Sequence, residues 1–282
     1  MKAIILCADD YALNPAVDAG ILQLVEMGRL SAVGCMTESP RWLDHHNRLP
    51  ALRDRIDIGL HFNLTQSFGA GRNSEMEKQP LPSILRGALL GTLPLQAIAD
   101  SLHAQLDRFE SVMGDAPDFV DGHQHVHIFP RIRQTVLETL ARRYRLRRPW
   151  LRQVNPTLTR GPDWHKRALL ALLNWRFAAT AQQLGFACNQ SFTGIYSLLP
   201  EADFPALMRQ WLADASAGEL LMCHPGQAVA DSEKKAAAIA DDIAMTRPRE
   251  LAWLASPEFG ELLSRQQISL VRFRDLAPQT AR

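Results

Sequence analysis

The sequence has 282 residues, 46% hydrophobic and 22% charged, proportions that exclude a disordered, collagen-like or disulfide-scaffold chain. Its 31 Lys and Arg against 30 Asp and Glu leave a formal charge of +1, which gives no field to gather nucleic acid or an anionic membrane. Length alone allows one large domain or two ordinary ones, and the unusual figure is nine histidines beside three tyrosines.

The N-terminal apolar run stops at Asp9, too soon for a signal h-region, and no stretch approaches the roughly 20 apolar residues that span a bilayer. Cys7, Cys35, Cys188 and Cys223 show no Cys-x-x-Cys spacing and sit among apolar neighbours, as reduced buried thiols do. A cytoplasmic chain is expected. Residues 2–8 predict a strand; Asn14-Pro15 then supplies an N-cap with proline in the first turn, Val17, Ile21, Leu24 and Val25 follow at helical spacing, and Gly28 is a C-terminal stop. Strands are predicted from Ser31 to Met36 and from Asp57 to Asn63, and a helix through Ile98, Leu102, Leu106, Phe109 and Met113. A brief strand over Asp118–Asp121 runs into Gly-His-Gln-His-Val-His. After it come a helix at Ile132, Val136 and Leu140, a strand from Trp150 to Val154, a long helix over 164–184 and a strand from Phe192 to Tyr196. A helix at Phe204, Leu207, Met208 and Trp211 precedes strands at Glu219–Cys223 and Ile268–Phe273. Residues 66–94 and 225–249 read as loops with partial helix, the first as an excursion over substrate. With neither repeat nor linker, this alternation predicts one parallel α/β domain over 1–282, closed as a barrel or nearly so.

Asp9, Asp10, His61, Asp121, His123, Arg152 and His224 all fall at the C-terminal side of predicted strands, the face where α/β folds assemble active sites. Each alone reads as well as a cap or a core residue; their coincidence across five strands is the signal. Two imidazoles and a carboxylate with open positions suit a divalent zinc, iron or nickel ion. In Asp121-Gly-His-Gln-His-Val-His, alternation on an extended segment would turn His123, His125 and His127 to one side. Three ligands from five residues would strain the geometry, so one is expected on the metal and the others on substrate or behind it. Asp9 and Asp10, pointing oppositely on an extended chain, divide into one ligand and one general base.

Ala-Asp-Asp-Tyr-Ala-Leu-Asn-Pro-Ala-Val at 8–17, Gly-Leu-His-Phe-Asn-Leu-Thr at 59–65, Asp-Gly-His-Gln-His-Val-His at 121–127 and Met-Cys-His-Pro-Gly at 222–226 resemble the YdjC family of carbohydrate deacetylases. That family includes chitooligosaccharide deacetylase and a hopanoid-biosynthesis-associated branch. Thr-Arg-Pro-Arg-Glu-Leu followed by Ser-Pro-Glu-Phe resembles its C-terminal segment. The resemblance implies a distorted, TIM-like (β/α) barrel related to polysaccharide deacetylases, with one divalent metal, magnesium or zinc foremost. By motif position it implies Asp10, His61 and His123 as ligands and Asp9 as catalytic base. His224 is the candidate acid for the departing amine, since its unperturbed pKa suits that task. Tyr11, Asp121, His125, His127 and Arg152 fall to substrate contact or support, Arg152 equally well as a structural ion pair.

Tyr11-Ala12 departs from the usual Phe-Gly; if that position has positive φ, alanine there costs on the order of 1 kcal/mol. The expected reaction is hydrolysis of an N-acetyl group on a sugar, a chitooligosaccharide, another acetylated glycan or a glycolipid head group, and a homodimer would fit the family. Phe62, Phe68, Trp150 and Trp164 are candidate cleft walls, with core packing the favoured role for each. The rivals are a sugar-phosphate hydrolase or isomerase and a catalytically silent sugar-binding protein. Clustered Arg and Lys for the former are not obvious near the motifs, and a silent member has no need of both base and acid. His45, His46, His103 and His165 have no assigned role.

Overall fold

The computed structural model describes residues 1–45, 48–69, 77–156, 163–229 and 239–276. Strand β1 (Lys2–Tyr11) is buried from Ile4 to its end, because both faces of a central parallel strand are covered and its sequence carries an unbroken apolar run. Helix α1 (Pro15–Glu26) starts where Asn14 Oδ1 accepts the Val17 N–H at 3.0 Å, which satisfies one of the donors a helix start leaves open. The chain continues through β2 (Ala32–Cys35), β3 (Asp57–Phe62), α2 (Leu81–Leu90), α3 (Leu95–Met113), β4 (Phe119–Gly122), α4 (Ile132–Arg143) and β5 (Trp150–Leu151). Then come α5 (Trp164–Leu173), α6 (Phe177–Gln183), β6 (Ser191–Thr193), α7 (Phe204–Ala213) and β7 (Glu219–Cys223). The last elements are α8 (Arg247–Ala255), α9 (Pro257–Arg265) and β8 (Ile268–Leu270).

Every strand pairing is parallel, in the order β5-β4-β3-β2-β1-β7-β6, with β8 on the first residues of β1. The sheet curls until its two edges meet, through parallel bridges Leu151↔Cys188 and Pro156↔Phe192. This is the distorted parallel barrel expected. Its core is sealed by side chains such as Phe62, Phe119, Phe192 and Leu220, all 1% exposed or less, each such burial stabilising by roughly 1.5–3 kcal/mol.

Two expectations need correction. The long helix over 164–184 is two helices, because Arg176 takes a left-handed φ of 63° between them. The strands predicted to reach Val154, Tyr196 and Phe273 stop at Leu151, Thr193 and Leu270; bridges and loop hydrogen bonds replace ladder pairing beyond those points. The excursion over 66–94, expected as a loop with partial helix, carries helix α2, while its residues 70–76 lie outside the described residues. Within 225–249, likewise expected as a loop with partial helix, residues 230–238 lie outside the description and α8 begins at Arg247. Among the described residues no helix is long and apolar enough to cross a membrane.

Candidate active site

The end of β1 does not stay extended. Its register with β2 breaks between Ala8 and Tyr11, Asp10 has φ 70° and Ala12 φ 73°. Simple alternation would send Asp9 and Asp10 to opposite faces; the left-handed residue instead brings both carboxylates to one cavity. Aspartate tolerates this conformation better than most residues. The turn is held by Leu13 N–H donating to the Asp10 carbonyl at 3.0 Å and by Ala12 N–H donating to Asp18 Oδ1 at 2.7 Å. The family's usual glycine thus stands where positive φ requires it, and alanine here carries the strain. Tyr11 does not reach the cavity: it is fully buried, and its hydroxyl meets Nδ1 of His45 at 2.9 Å, with His45 in turn against Asp18. Of the two roles open to Tyr11, this placement fits support of the turn, with His45 beside it.

On the β3 and β4 side the charges form a chain. Asp9 is gripped at both oxygens by Arg152, at 2.6 and 2.7 Å. The same guanidinium lies 2.6 Å from Asp121 Oδ2 and 3.0 Å from Cys7 Sγ. Asp121 Oδ1 meets His61 Nδ1 at 2.7 Å, which turns His61 Nε2 toward Asp10 Oδ1 at 3.4 Å. His123 Nδ1 reaches that same oxygen at 3.0 Å. Burial disfavours a charged His61, but Asp121 and Asp9 outweigh it and push its pKa up to about 10. Burial likewise opposes ionisation of Asp10, yet Arg247 and His123 hold its carboxyl well below the usual range.

The ligand atoms of Asp10, His61 and His123 lie within 4.8 Å of one another. Their donor set fits a divalent ion, and a carboxylate behind one imidazole is the usual second partner of a ligating histidine. Cys7, Asp9 and Asp121 form a second close group, but Arg152 already supplies its positive charge.

The histidine-rich segment is not extended either. Residues His123–Ile128 form a 3-10 turn with Gln124 and His125 left-handed, so the three histidines diverge. His123 faces Asp10; His127 is buried, its Nε2 against the Arg152 carbonyl at 2.8 Å and its ring edge-on to Phe177. His125 lines the cavity beside Phe192, and its Nδ1 has no partner among the described residues. Burial pulls His127 down to about 4 and also lowers His125.

His224, just past β7, faces the cavity with its Nδ1 likewise unpartnered. Burial, against the pull of Asp10 and Asp9, lowers it to about 4. The expectation of an ordinary histidine pKa there is corrected: the ring is neutral at pH 7 in the free site. Behind it stands Glu250, which accepts the His224 N–H at 2.5 Å and the Tyr196 hydroxyl, and which burial pushes up to about 7. Glu250 and its neighbour Arg247, whose Nη2 meets Asp10 Oδ2 at 2.8 Å, were not among the expected site residues. A signal was present: Arg247, Glu250, Leu251 and Leu254 share one buried helical face.

The cavity measures about 300 Å³. Its floor is Asp9, Asp10, His61, His123 and His224, and its walls are largely aliphatic, with Leu81 and Leu85 from α2 and Leu169, Leu170 and Leu173 from α5. None of Phe62, Phe68, Trp150 and Trp164 lines it; Trp150 stacks between Phe119 and Phe273.

The profile of the family described as YdjC-like protein matches residues 3–265. Chitooligosaccharide deacetylases of Enterobacter sp. (strain 638) and Salmonella typhimurium are 30% and 32% identical over 152 residues, 50% of this chain. The chain spans about half the length of these curated relatives, the matched part being 57% of each. A crystal structure from Enterococcus faecalis V583, provisionally described as a cellobiose-phosphate cleavage protein, superposes with TM-score 0.69 at 22% identity, covering 98% of this chain and 99% of that one. A peptidoglycan N-acetylglucosamine deacetylase gives TM-score 0.51 at 9% identity, over 97% of this chain and 87% of its own. Both show likeness of fold.

Proposed function

The chain belongs to the YdjC-like family, and from that premise we propose that it is a metal-dependent carbohydrate deacetylase that hydrolyses an N-acetyl group on a sugar. One observation carries the reading: a carboxylate and two imidazoles that fit a divalent ion share a cavity floor with a second carboxylate and a free imidazole. Asp10, His61 and His123 would hold the ion. When bound there it supplies a Lewis acid for the amide carbonyl and acidifies a water.

The remaining work falls to the chain's own groups. Asp9 takes the proton of the attacking water, and Arg152, on both its oxygens, fixes the direction of that carboxylate. Asp121 sets the tautomer and orientation of His61 through its Nδ1. An amine leaves poorly unless protonated, and His224, an imidazole lining the cavity, would supply the proton. Neutral at rest, its ring would take up a proton from solvent as negative charge develops on the attacked carbonyl and raises its pKa, and would pass that proton to the amine. His125 offers a polar contact to substrate. The chain would act as one barrel domain, as a homodimer if it follows its family, and its four free, buried cysteines fit a reducing, cytoplasmic compartment.

A sugar-phosphate reading is less well supported. The lysine and arginine lining the cavity among the described residues are Lys166 and Arg247, and Arg247 is already engaged by Asp10 and Asp241. The test is acetate release from N-acetylglucosamine, chitooligosaccharides and an alkyl N-acetylglucosaminide, by protein loaded separately with zinc, nickel, cobalt or magnesium. Release from any of them supports the reading; silence across the panel with every metal sinks it.

A further inference from the structure

Two arginines face the two adjacent carboxylates, and they bind differently. Arg152 grips both oxygens of Asp9 end-on, through Nη1 and Nη2, a two-point geometry that suits a guanidinium and a carboxylate. Arg247 takes only Oδ2 of Asp10, through Nη2 at 2.8 Å, and its Nε donates instead to Oδ2 of Asp241 at 2.8 Å. Oδ1 of Asp10 is left to His123 Nδ1 at 3.0 Å and His61 Nε2 at 3.4 Å.

The stem of Arg247 is also fixed. A Cβ on Gly226 would stand 3.1 Å from Arg247 Cδ, and the Gly226 N–H donates to the Arg247 carbonyl at 3.3 Å. A Cβ on Gly20 would come within 2.7 Å of Gly226 Cα, so α1 presses the His-Pro-Gly turn onto that stem. The side chain is 3% exposed. Its Nη1 has no partner among the described residues, so with Nε anchored on Asp241 the guanidinium is turned to meet Asp10 through Nη2 alone.

We propose that Arg247 is a positioning residue for Asp10, and that Asp241, by anchoring Nε and so fixing how the guanidinium is turned, keeps Oδ1 of Asp10 as the single carboxylate oxygen presented to a divalent cation. This rests on the metal reading above. Asp241 borders the substrate cavity, so the segment beside the substrate is tied directly to the ligand.

The experiment titrates cobalt(II) into chelator-treated protein, following its visible absorption as a report on the donor set, with thermal midpoints measured alongside. In Asp241→Ala the Nε anchor is gone and the guanidinium is released to grip both oxygens of Asp10, and cobalt should bind about tenfold or more weaker with the thermal midpoint little changed. In Arg247→Met both oxygens are freed; cobalt should bind at least as tightly as in the parent, with an altered spectrum. Arg247→Lys keeps the charge without the fork and should fall between them, which preserves the test if the methionine variant does not fold.

Opposite shifts in the two main variants support the proposal. Parallel weakening accompanied by lower thermal midpoints, or unchanged affinity and spectrum in both, overturns it and leaves Arg247 structural. If the parent protein shows no saturable cobalt binding, the metal reading itself falls.

Discussion

The two halves of the cavity floor are held in different ways. On the β3 and β4 side, Asp9, Arg152, Asp121, His61, Asp10 and His123 are linked partner to partner. Outside that chain, His224 after β7 and His125 in the turn after β4 line the same cavity, each with Nδ1 unpartnered among the described residues. An unsatisfied buried nitrogen costs roughly 1–3 kcal/mol, and it is tolerated where a ligand will complete it. The contrast separates a charged network linked through side chains from two imidazoles that stand outside it.

The sharpest way to break that comparison is to remove one member from each side. Asp10→Asn, His61→Ala or His123→Ala should lose bound metal and at least about a thousandfold in turnover, since the free side has nothing to replace them. Asp9→Asn should lose about 10² to 10⁴ in turnover with metal content intact; if metal analysis shows the ion gone, the two aspartates have been assigned in reverse. His224→Gln should keep both metal and thermal midpoint while losing about a hundredfold in kcat. A loss of metal there would mean that the halves are not distinct.

A smaller effect sharpens the held side. Asp121→Asn keeps the shape but removes the charge that orients His61, and should weaken metal binding by about 10- to 100-fold in a competition titration.

The free side has its own pH signature. Glu250 has its pKa raised from 4.5 to about 7, by burial first, against the His224 and Tyr196 donors. A raised acid stabilises the fold below its unfolded pKa, and that contribution is lost as pH climbs through about 7. Urea unfolding of the parent should therefore contain a component that declines between about pH 4.5 and 7, and Glu250→Gln should remove it. A variant that follows the parent's pH curve unchanged would show that Glu250 does not carry this component.

The smallest effect concerns the β1 turn. Ala12→Gly relieves a positive φ at the expense of a more flexible unfolded chain, for a net gain of up to about 1 kcal/mol, read as a raised urea midpoint.

The barrel and half of the site were legible because polar residues interrupt apolar runs, as at Asp9, His61, Asp121 and His224, and strand ends in such folds share a face. What escaped was set by backbone geometry or by distance in the chain. Alternation misplaced Asp10 against Asp9 and fanned the histidines wrongly, because left-handed φ at Asp10, Gln124 and His125 leaves no mark in residue types that ordinarily adopt other conformations. Arg247 looks like a solvated charge at a helix start; its partner Asp10 stands 237 residues away. The ordinary pKa expected for His224 failed because burial depends on what packs around it.

The aliphatic walls of the cavity belong to α2, between β3 and β4, and to α5, between β5 and β6. Floor and wall are therefore separable inheritances. Substitutions in two surface excursions can reshape what enters without disturbing one charged network rooted in the strands, so relatives that share the Asp-Asp and histidine motifs are free to diverge in the molecule they accept.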